Sequence, residues 1–206
     1  MTAHVLPDLP YKTDAFAPLM GEPTLAEHHQ SHHRGYVDLL NRTEEAMAAA
    51  KHAGEDEAVA WAHTLGRQYA FAMAGHRLHS LFWRSMIPGP PGDLSPSLAS
   101  QVRTDFGDLA RCRALIGGLA GSTYGSGWVV LAFDPAANAL RLLALREHED
   151  GLPQGLTLLL ALDVWEHAYY LDHRSNRAGW VNTFMHDLID WPAISERFDR
   201  AKGVAT

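Results

Sequence analysis

Asp163 and His167 set a carboxylate and an imidazole four positions apart in Asp163-Val164-Trp165-Glu166-His167-Ala168-Tyr169-Tyr170, directly after the apolar run Leu156 to Leu162. That run is bounded by Gly155, so it predicts a buried strand delivering Asp163 at its C-terminal edge, with His167 in the turn that follows. Chemically the pair is half of a metal site; the alternative, for the pair alone, is a buried ion pair at a strand end. Further imidazoles come from Glu27-His28-His29-Gln30-Ser31-His32-His33-Arg34-Gly35-Tyr36 and from Gly75-His76-Arg77-Leu78-His79. Alone, the first group could be a surface cluster of titrating histidines, and His79 a satisfied core histidine.

These groups need elements to carry them. Thr24 and Glu27 have the spacing of a capping box, which predicts a helix over 24–50. The i, i+4 spacing then puts His28, His32 and Tyr36 on one face, while His29 and His33 turn toward a neighbouring one. A second helix is predicted over 57–86, small and aromatic on its core side. The Lys51 to Asp56 segment, with Gly54, supplies a turn between them, so the two helices fold back as an antiparallel hairpin and His28 comes close to His79.

At these residues the chain resembles the iron/manganese superoxide dismutase family over nearly its whole length. The matching segments are Leu9-Pro10-Tyr11-Lys12-Thr13-Asp14-Ala15, His28 to Val37, His79-Ser80-Leu81-Phe82-Trp83, Gly125-Ser126-Gly127-Trp128 and Asp163 to Tyr170. The resemblance implies a five-coordinate mononuclear manganese or iron in each subunit, held by His28, His79, Asp163, His167 and a solvent molecule, with a lean to manganese. It implies that superoxide is disproportionated to oxygen and hydrogen peroxide as the metal cycles between +2 and +3. Tyr36 and His32 would line the substrate funnel. His32 would pair with Tyr170 across a dimer interface, and Glu166 would cross that interface to the metal-bound histidine of the other subunit. Trp83, Trp128 and Trp165 would wall the cavity and keep it dry. Three imidazoles and one carboxylate suit iron or manganese; a tetrahedral zinc centre is the chemical alternative, but zinc does not cycle between oxidation states.

The chain departs from the family in its outer residues. Members commonly supply a glutamine, either at the position of Gly75 or from the region around 147–149, and this chain has none at either. His148 is the expected replacement, with Glu149 beside it. Leu78 stands for a usual asparagine, Val130 for a frequent tryptophan, Ser31 for a frequent lysine, and Ser175 to Trp180 is a weakened form of an arginine-rich segment. A catalytically weak or inactive metal-binding homologue is therefore the alternative. A carboxylate-bridged di-iron bundle would need paired Glu-x-x-His motifs on facing helices, which the sequence lacks.

Composition bounds the rest. With 206 residues, 47% of them hydrophobic, the chain can bury a good core. A net charge of -7 argues against nucleic-acid binding and opposes a small anion at long range, leaving Arg177, Arg34 and Lys12 as candidate local attractors. No signal-like or membrane-spanning run is seen, and the single Cys112 suits a reducing interior, so the expected location is the cytoplasm, without membrane attachment. The expected assembly is a homodimer or tetramer. The Pro- and Gly-rich stretch Ile87 to Asp93 divides a helical hairpin domain, 1–88, from an α/β domain, 93–206. Downstream, the pattern predicts one helix over Leu98 to Leu119, strands over Trp128 to Phe133, Leu140 to Leu145 and Leu156 to Leu162, and helices over Trp180 to Asp190 and Ala193 to Lys202. The fold class is thus α+β: an N-terminal antiparallel helical hairpin plus a C-terminal three-stranded antiparallel sheet wrapped by helices, with the metal between them.

Overall fold

The computed structural model describes residues 3–50 and 54–203. Helix α1 (Glu22–Glu27) begins two residues before Thr24, because Gly21 is extended and Pro23, with its fixed φ and missing N–H, is pre-set for a first turn. Thr24 is therefore not the cap that its spacing with Glu27 predicts. Its hydroxyl instead donates to Asp172 at 2.6 Å, and the same carboxylate oxygen accepts the Gly21 N–H at 2.9 Å. The helix start is capped by a residue far away in sequence.

A wide π-helical turn, His28–His33, follows and runs straight into α2 (Arg34–Ala50). Helix α3 (Glu55–Trp83) opens with Glu55, Asp56 and Glu57 against the positive end of its dipole and runs back along α2 as the expected hairpin. It stops three residues short of the predicted Met86, which instead pairs with Ile189 in an isolated bridge. Part of the predicted turn, residues 51–53, lies outside the described residues.

The single helix expected over Leu98 to Leu119 is two, α4 (Pro96–Phe106) and α5 (Leu109–Ser122). The break is at Gly107, whose φ of +94° a side chain would resist, and Asp108 then caps α5 by accepting the Arg111 N–H at 2.6 Å. Apolar periodicity survives such a break, which is why it hid the interruption.

Strands β1 (Gly127–Asp134), β2 (Ala139–Arg146) and β3 (Thr157–Asp163) form one antiparallel sheet in the order β2-β1-β3. Being central, β1 is buried through Phe133 and carries the run Trp-Val-Val-Leu-Ala-Phe. Its register sets Trp128 opposite Asp163 on one side and Leu145 on the other. After β3 come a 3-10 turn (Glu166–Ala168), α6 (Tyr170–His173), α7 (Arg177–Thr183), a second π-helical turn (Phe184–Leu188) and α8 (Trp191–Lys202). The helix predicted over Trp180 to Asp190 is thus a short α-helix that widens where Phe184, Met185 and Leu188 enter the core.

The core joins both halves: Phe82 and Trp83 of α3 with Trp128 of β1, Trp180 of α7, Phe184, Trp191 and Phe198 of α8, all essentially buried. Each such side chain contributes roughly 1.5–3 kcal/mol of burial. Because α3 packs directly on β3, a histidine on one faces an aspartate at the end of the other. No described helix is long and apolar enough to cross a membrane.

Candidate metal centre

Four side chains from three separate parts of the chain converge between the hairpin and the sheet. His28 comes from the π-helical turn, His79 from α3, Asp163 from the end of β3 and His167 from the turn after it. One ligand atom from each lies within 4.8 Å of all the others. Asp163 Oδ2 is the hub, 3.1 Å from His28 Nε2, 3.3 Å from His167 Nε2 and 3.8 Å from His79 Nε2. His28, His79 and Asp163 are completely buried.

Local hydrogen bonds aim these atoms. The Gly75 carbonyl can only accept, so at 2.7 Å it takes the Nδ1 proton of His79 and leaves Nε2 with its lone pair toward the cluster. Asp163 Oδ1 accepts the Trp165 N–H at 2.9 Å, and the Asp163 carbonyl accepts from Trp180 Nε1 at 2.8 Å, which leaves Oδ2 to the imidazoles. The Nε2 atoms of His28 and His79 are buried without any hydrogen-bond partner among the described residues.

Electrostatics decide between an ion-pair cluster and a cation site. Burial pushes His28 down to about 4 and His79 well below its ordinary range, so both are neutral at pH 7. Burial works to raise Asp163, but the neighbouring His167 and His28 outweigh it and hold the carboxylate well below its usual range. An ionised acid beside the neutral, unpartnered Nε2 atoms of His28 and His79 makes an anionic cage lined with lone pairs. A cation held among these atoms would satisfy all of them at once. Three nitrogens, one oxygen and no thiolate fit manganese or iron.

Around this cage lies a shell of aromatic groups. Trp128 Nε1 donates to His148 Nδ1 at 3.0 Å, which fixes the His148 proton on Nε2. That N–H is buried and has no acceptor among the described residues. The ring is stacked on Trp165 at 4.7 Å and meets Tyr36 edge-on at 4.5 Å. Burial pushes His148 down to about 4, so it stays a neutral donor. Glu149, the other expected replacement for the family glutamine, is exposed.

Gly75 has its own reason. A Cβ built there would lie 2.8 Å from the Tyr36 ring, so Tyr36 occupies the space a glutamine side chain would need. Tyr36 is half-buried, and its hydroxyl pKa is raised by burial first and by Asp163 next.

The way in is a cavity of about 520 Å³ lined by His32, Tyr36, Gly125, Ser126, Trp165, Glu166, His167 and Arg177. His32 stacks on His167 at 4.1 Å. Arg177 stands at the mouth, its guanidinium pinned by the carbonyls of Thr123 and Gly125, the latter at 2.7 Å. Of the three cations named from the sequence, only Arg177 lines this cavity; Arg34 and Lys12 are exposed elsewhere. Glu166 is exposed at the mouth, and Tyr170 is 44% exposed. Trp83 does not donate to a metal-site group but to His33 Nδ1 at 2.9 Å.

Sequence reasoning gave no role to that second histidine network. With Nδ1 of His33 accepting from Trp83, its Nε2 donates to His76 Nδ1 at 2.8 Å. His29 donates to the Pro7 carbonyl at 2.9 Å. Spacing could not have found the His33–His76 pair, since the two sit on different helices, 43 residues apart.

The comparisons with known proteins agree with this geometry. Residues 3–87 match the alpha-hairpin domain, and residues 94–197 the C-terminal domain, of the iron/manganese superoxide dismutases. The chain is 40% identical over 199 residues to superoxide dismutase [Mn] 2 of Halobacterium salinarum, covering 97% of this chain and 96% of that one. It is 34% identical over 198 residues to superoxide dismutase [Mn/Fe] of Aeropyrum pernix, with 95% and 91% covered. The superoxide dismutase [Fe] of Methanothermobacter marburgensis is 34% identical over 196 residues, with 94% and 95% covered. With both domains matched and the cage of three histidines and one aspartate assembled between them, the chain belongs to the iron/manganese superoxide dismutase family.

Proposed function

We propose that the protein is a superoxide dismutase that converts two superoxide ions and two protons to oxygen and hydrogen peroxide. The observation that carries this reading is the convergence of Nε2 of His28, His79 and His167 on Asp163 Oδ2, buried and in part unpartnered. These four residues would hold one manganese or iron ion per subunit, which supplies the cycling between +2 and +3. The reading leans to manganese, as in the name of the Halobacterium salinarum relative, although the other two names include iron.

The remaining roles belong to this chain's own side chains. His148 offers its Nε2–H to an oxygen atom in the cage, the part taken by glutamine elsewhere in the family; its buried, unsatisfied donor supports this. Tyr36 keeps its phenolic proton at neutral pH and holds a polar group at the inner end of the cavity. His32 lines the approach, and Arg177 places a fixed positive charge where a small anion arrives, against the net charge of -7. Trp83, Trp128 and Trp165 exclude water and hold the imidazoles in orientation.

The same reading makes the protein a cytoplasmic homodimer, with pairing of dimers into a tetramer as its extension and with neither nucleic acid nor membrane as a partner. Glu166 and Tyr170 would face the other subunit, and the exposure of both, Glu166 at the mouth, supports this. Its two domains would be 1–88 and 93–206. The test is superoxide consumption by protein stripped of metal and reloaded separately with manganese and with iron, metal content being measured in each sample. Activity in at least one form is the expected result; stoichiometric metal without activity in either would leave only a metal-binding homologue.

A further inference from the structure

A groove of about 850 Å³ lies on a face that shares no residue with the metal cage or its mouth. Helices α3 and α8 form its two walls. Arg77 and Arg84, seven residues apart and so on one face of α3 and its end, stand on one wall, with Arg197 and Arg200 on the other. In a chain with 24 acidic against 17 basic residues, four arginines gather in one concavity. Among the described residues none of the four is ion-paired.

Two acids also line the groove: Asp190, which caps α8 by accepting the Ala193 N–H at 2.9 Å, and Glu196, exposed beside Arg197, so the four arginines outnumber the acids two to one. Arg197 is locked by the Leu159 carbonyl at 2.7 Å and the Arg84 carbonyl at 3.0 Å. Burial, together with repulsion from Arg84, pushes its pKa down to about 10, against the partial compensation of Asp190 and Glu196. Arg77 and Arg200 are exposed, and among the described residues neither guanidinium makes a hydrogen bond to the protein. Between the walls the floor is apolar, built from Tyr11, Leu81, Ile87 and Leu158.

Guanidinium forks match the oxygens of a phosphate, and an apolar floor matches a ring or hydrocarbon attached to it. The volume falls in the range of sites for small organic ligands, about 300–1,000 Å³, and far exceeds what inorganic phosphate fills. We propose that this groove binds a phosphorylated organic anion of nucleotide size, its phosphate on Arg77, Arg84 and Arg200 and its apolar part on the floor between α3 and α8.

The test is calorimetric titration of the full-length, metal-loaded protein with adenosine 5′-monophosphate, and in parallel with inorganic phosphate and with adenosine. Saturable one-site binding of the nucleotide is expected, with inorganic phosphate and adenosine each weaker by about tenfold or more. The double variant R77S/R200S removes two exposed arginines whose guanidiniums make no hydrogen bond or ion pair among the described residues. It should bind the nucleotide about tenfold more weakly or worse, with unchanged thermal midpoint and unchanged superoxide consumption. No saturable binding at several millimolar nucleotide, or equal binding by the double variant, would overturn the proposal. Inorganic phosphate binding as tightly as the nucleotide would overturn the role given to the apolar floor. None of the binding outcomes depends on the dismutase reading.

Discussion

Two histidine clusters sit side by side on the same helical hairpin, and they differ in whether their nitrogens are satisfied. In the network of His29, His33 and His76, the bonds run from Trp83 to His33 to His76 and from His29 to the Pro7 carbonyl, so these rings have protein partners. In the cage, the Nε2 atoms of His28 and His79 are completely buried but have none among the described residues, and they converge on one carboxylate oxygen. The two clusters come as close as 5.3 Å between the rings of His33 and His79. Imidazole content therefore does not mark a metal site; buried lone pairs aimed at a common point do. The cost of leaving such atoms unsatisfied would be met by a cation in one cluster and is met by hydrogen bonds in the other.

The contrast can be broken most severely at its hub. Asp163→Asn removes the negative charge on which three imidazoles converge, and metal content together with superoxide consumption should fall to background after reconstitution. His33→Phe is its control in the other cluster: metal stoichiometry should hold while unfolding free energy drops by roughly 1–3 kcal/mol, because Trp83 and His76 lose their partner. Retention of metal by Asp163→Asn, or loss of metal by His33→Phe, would dissolve the distinction.

A smaller effect is expected just outside the cage. His148→Phe keeps a ring against Trp165 but deletes the free Nε2–H; metal should stay bound while activity falls by about 10–100-fold. His148→Gln, which restores a donor, should recover part of that loss, and an unchanged rate in the phenylalanine variant would remove His148 from the reaction. Gly75→Gln tests the neighbouring position. Its side chain meets the Tyr36 ring, so overpacking should cost about 1–3 kcal/mol in chemical denaturation, and the mutation should displace Tyr36 rather than create a glutamine-type site.

The mildest probe is pH. Burial pushes His33 down to about 3 and His148 to about 4, below the ordinary value of 6.5. As pH falls below 6.5 the unfolded chain takes up protons that the folded one refuses until those lower values, so stability should decline across that window and level off beneath it. Denaturant midpoints between pH 7 and pH 4 would show the slope, and it should be shallower in His33→Phe. A slope identical to the parent's would mean that His33 is not among the groups that resist protonation.

Much of the fold was legible because apolar spacing reports burial directly. The run Leu156 to Leu162 predicted β3 and placed Asp163 at its end, and the 3.6-residue pattern with the break near Gly54 predicted the hairpin. Where legibility failed, the deciding contact was distant or the backbone conformation unusual. Thr24 and Glu27 carry a capping signature, yet Pro23 and the remote Asp172 govern that helix start. Leu98 to Leu119 keep one apolar period through a Gly107 whose positive φ splits them. The π-helical turn changes the phase of His28 to His33, so His28, His29 and His33 are all buried while His32 is left half-open at the mouth.

By itself, then, the sequence determined the donor types, the α+β order of elements and the family, since each is written in residue identity and local period. Only the tertiary structure decided which nitrogens face the cage and which are spent on hydrogen bonds. It alone showed that Tyr36 fills the space beside Gly75, that Trp128 turns His148 into a free donor, and that four arginines from two helices meet in one groove. The physical reason is the same in each case. A lone pair, a proton or a charge acquires its role from the atom it faces, and those atoms come from segments whose separation along the chain carries no trace of their meeting.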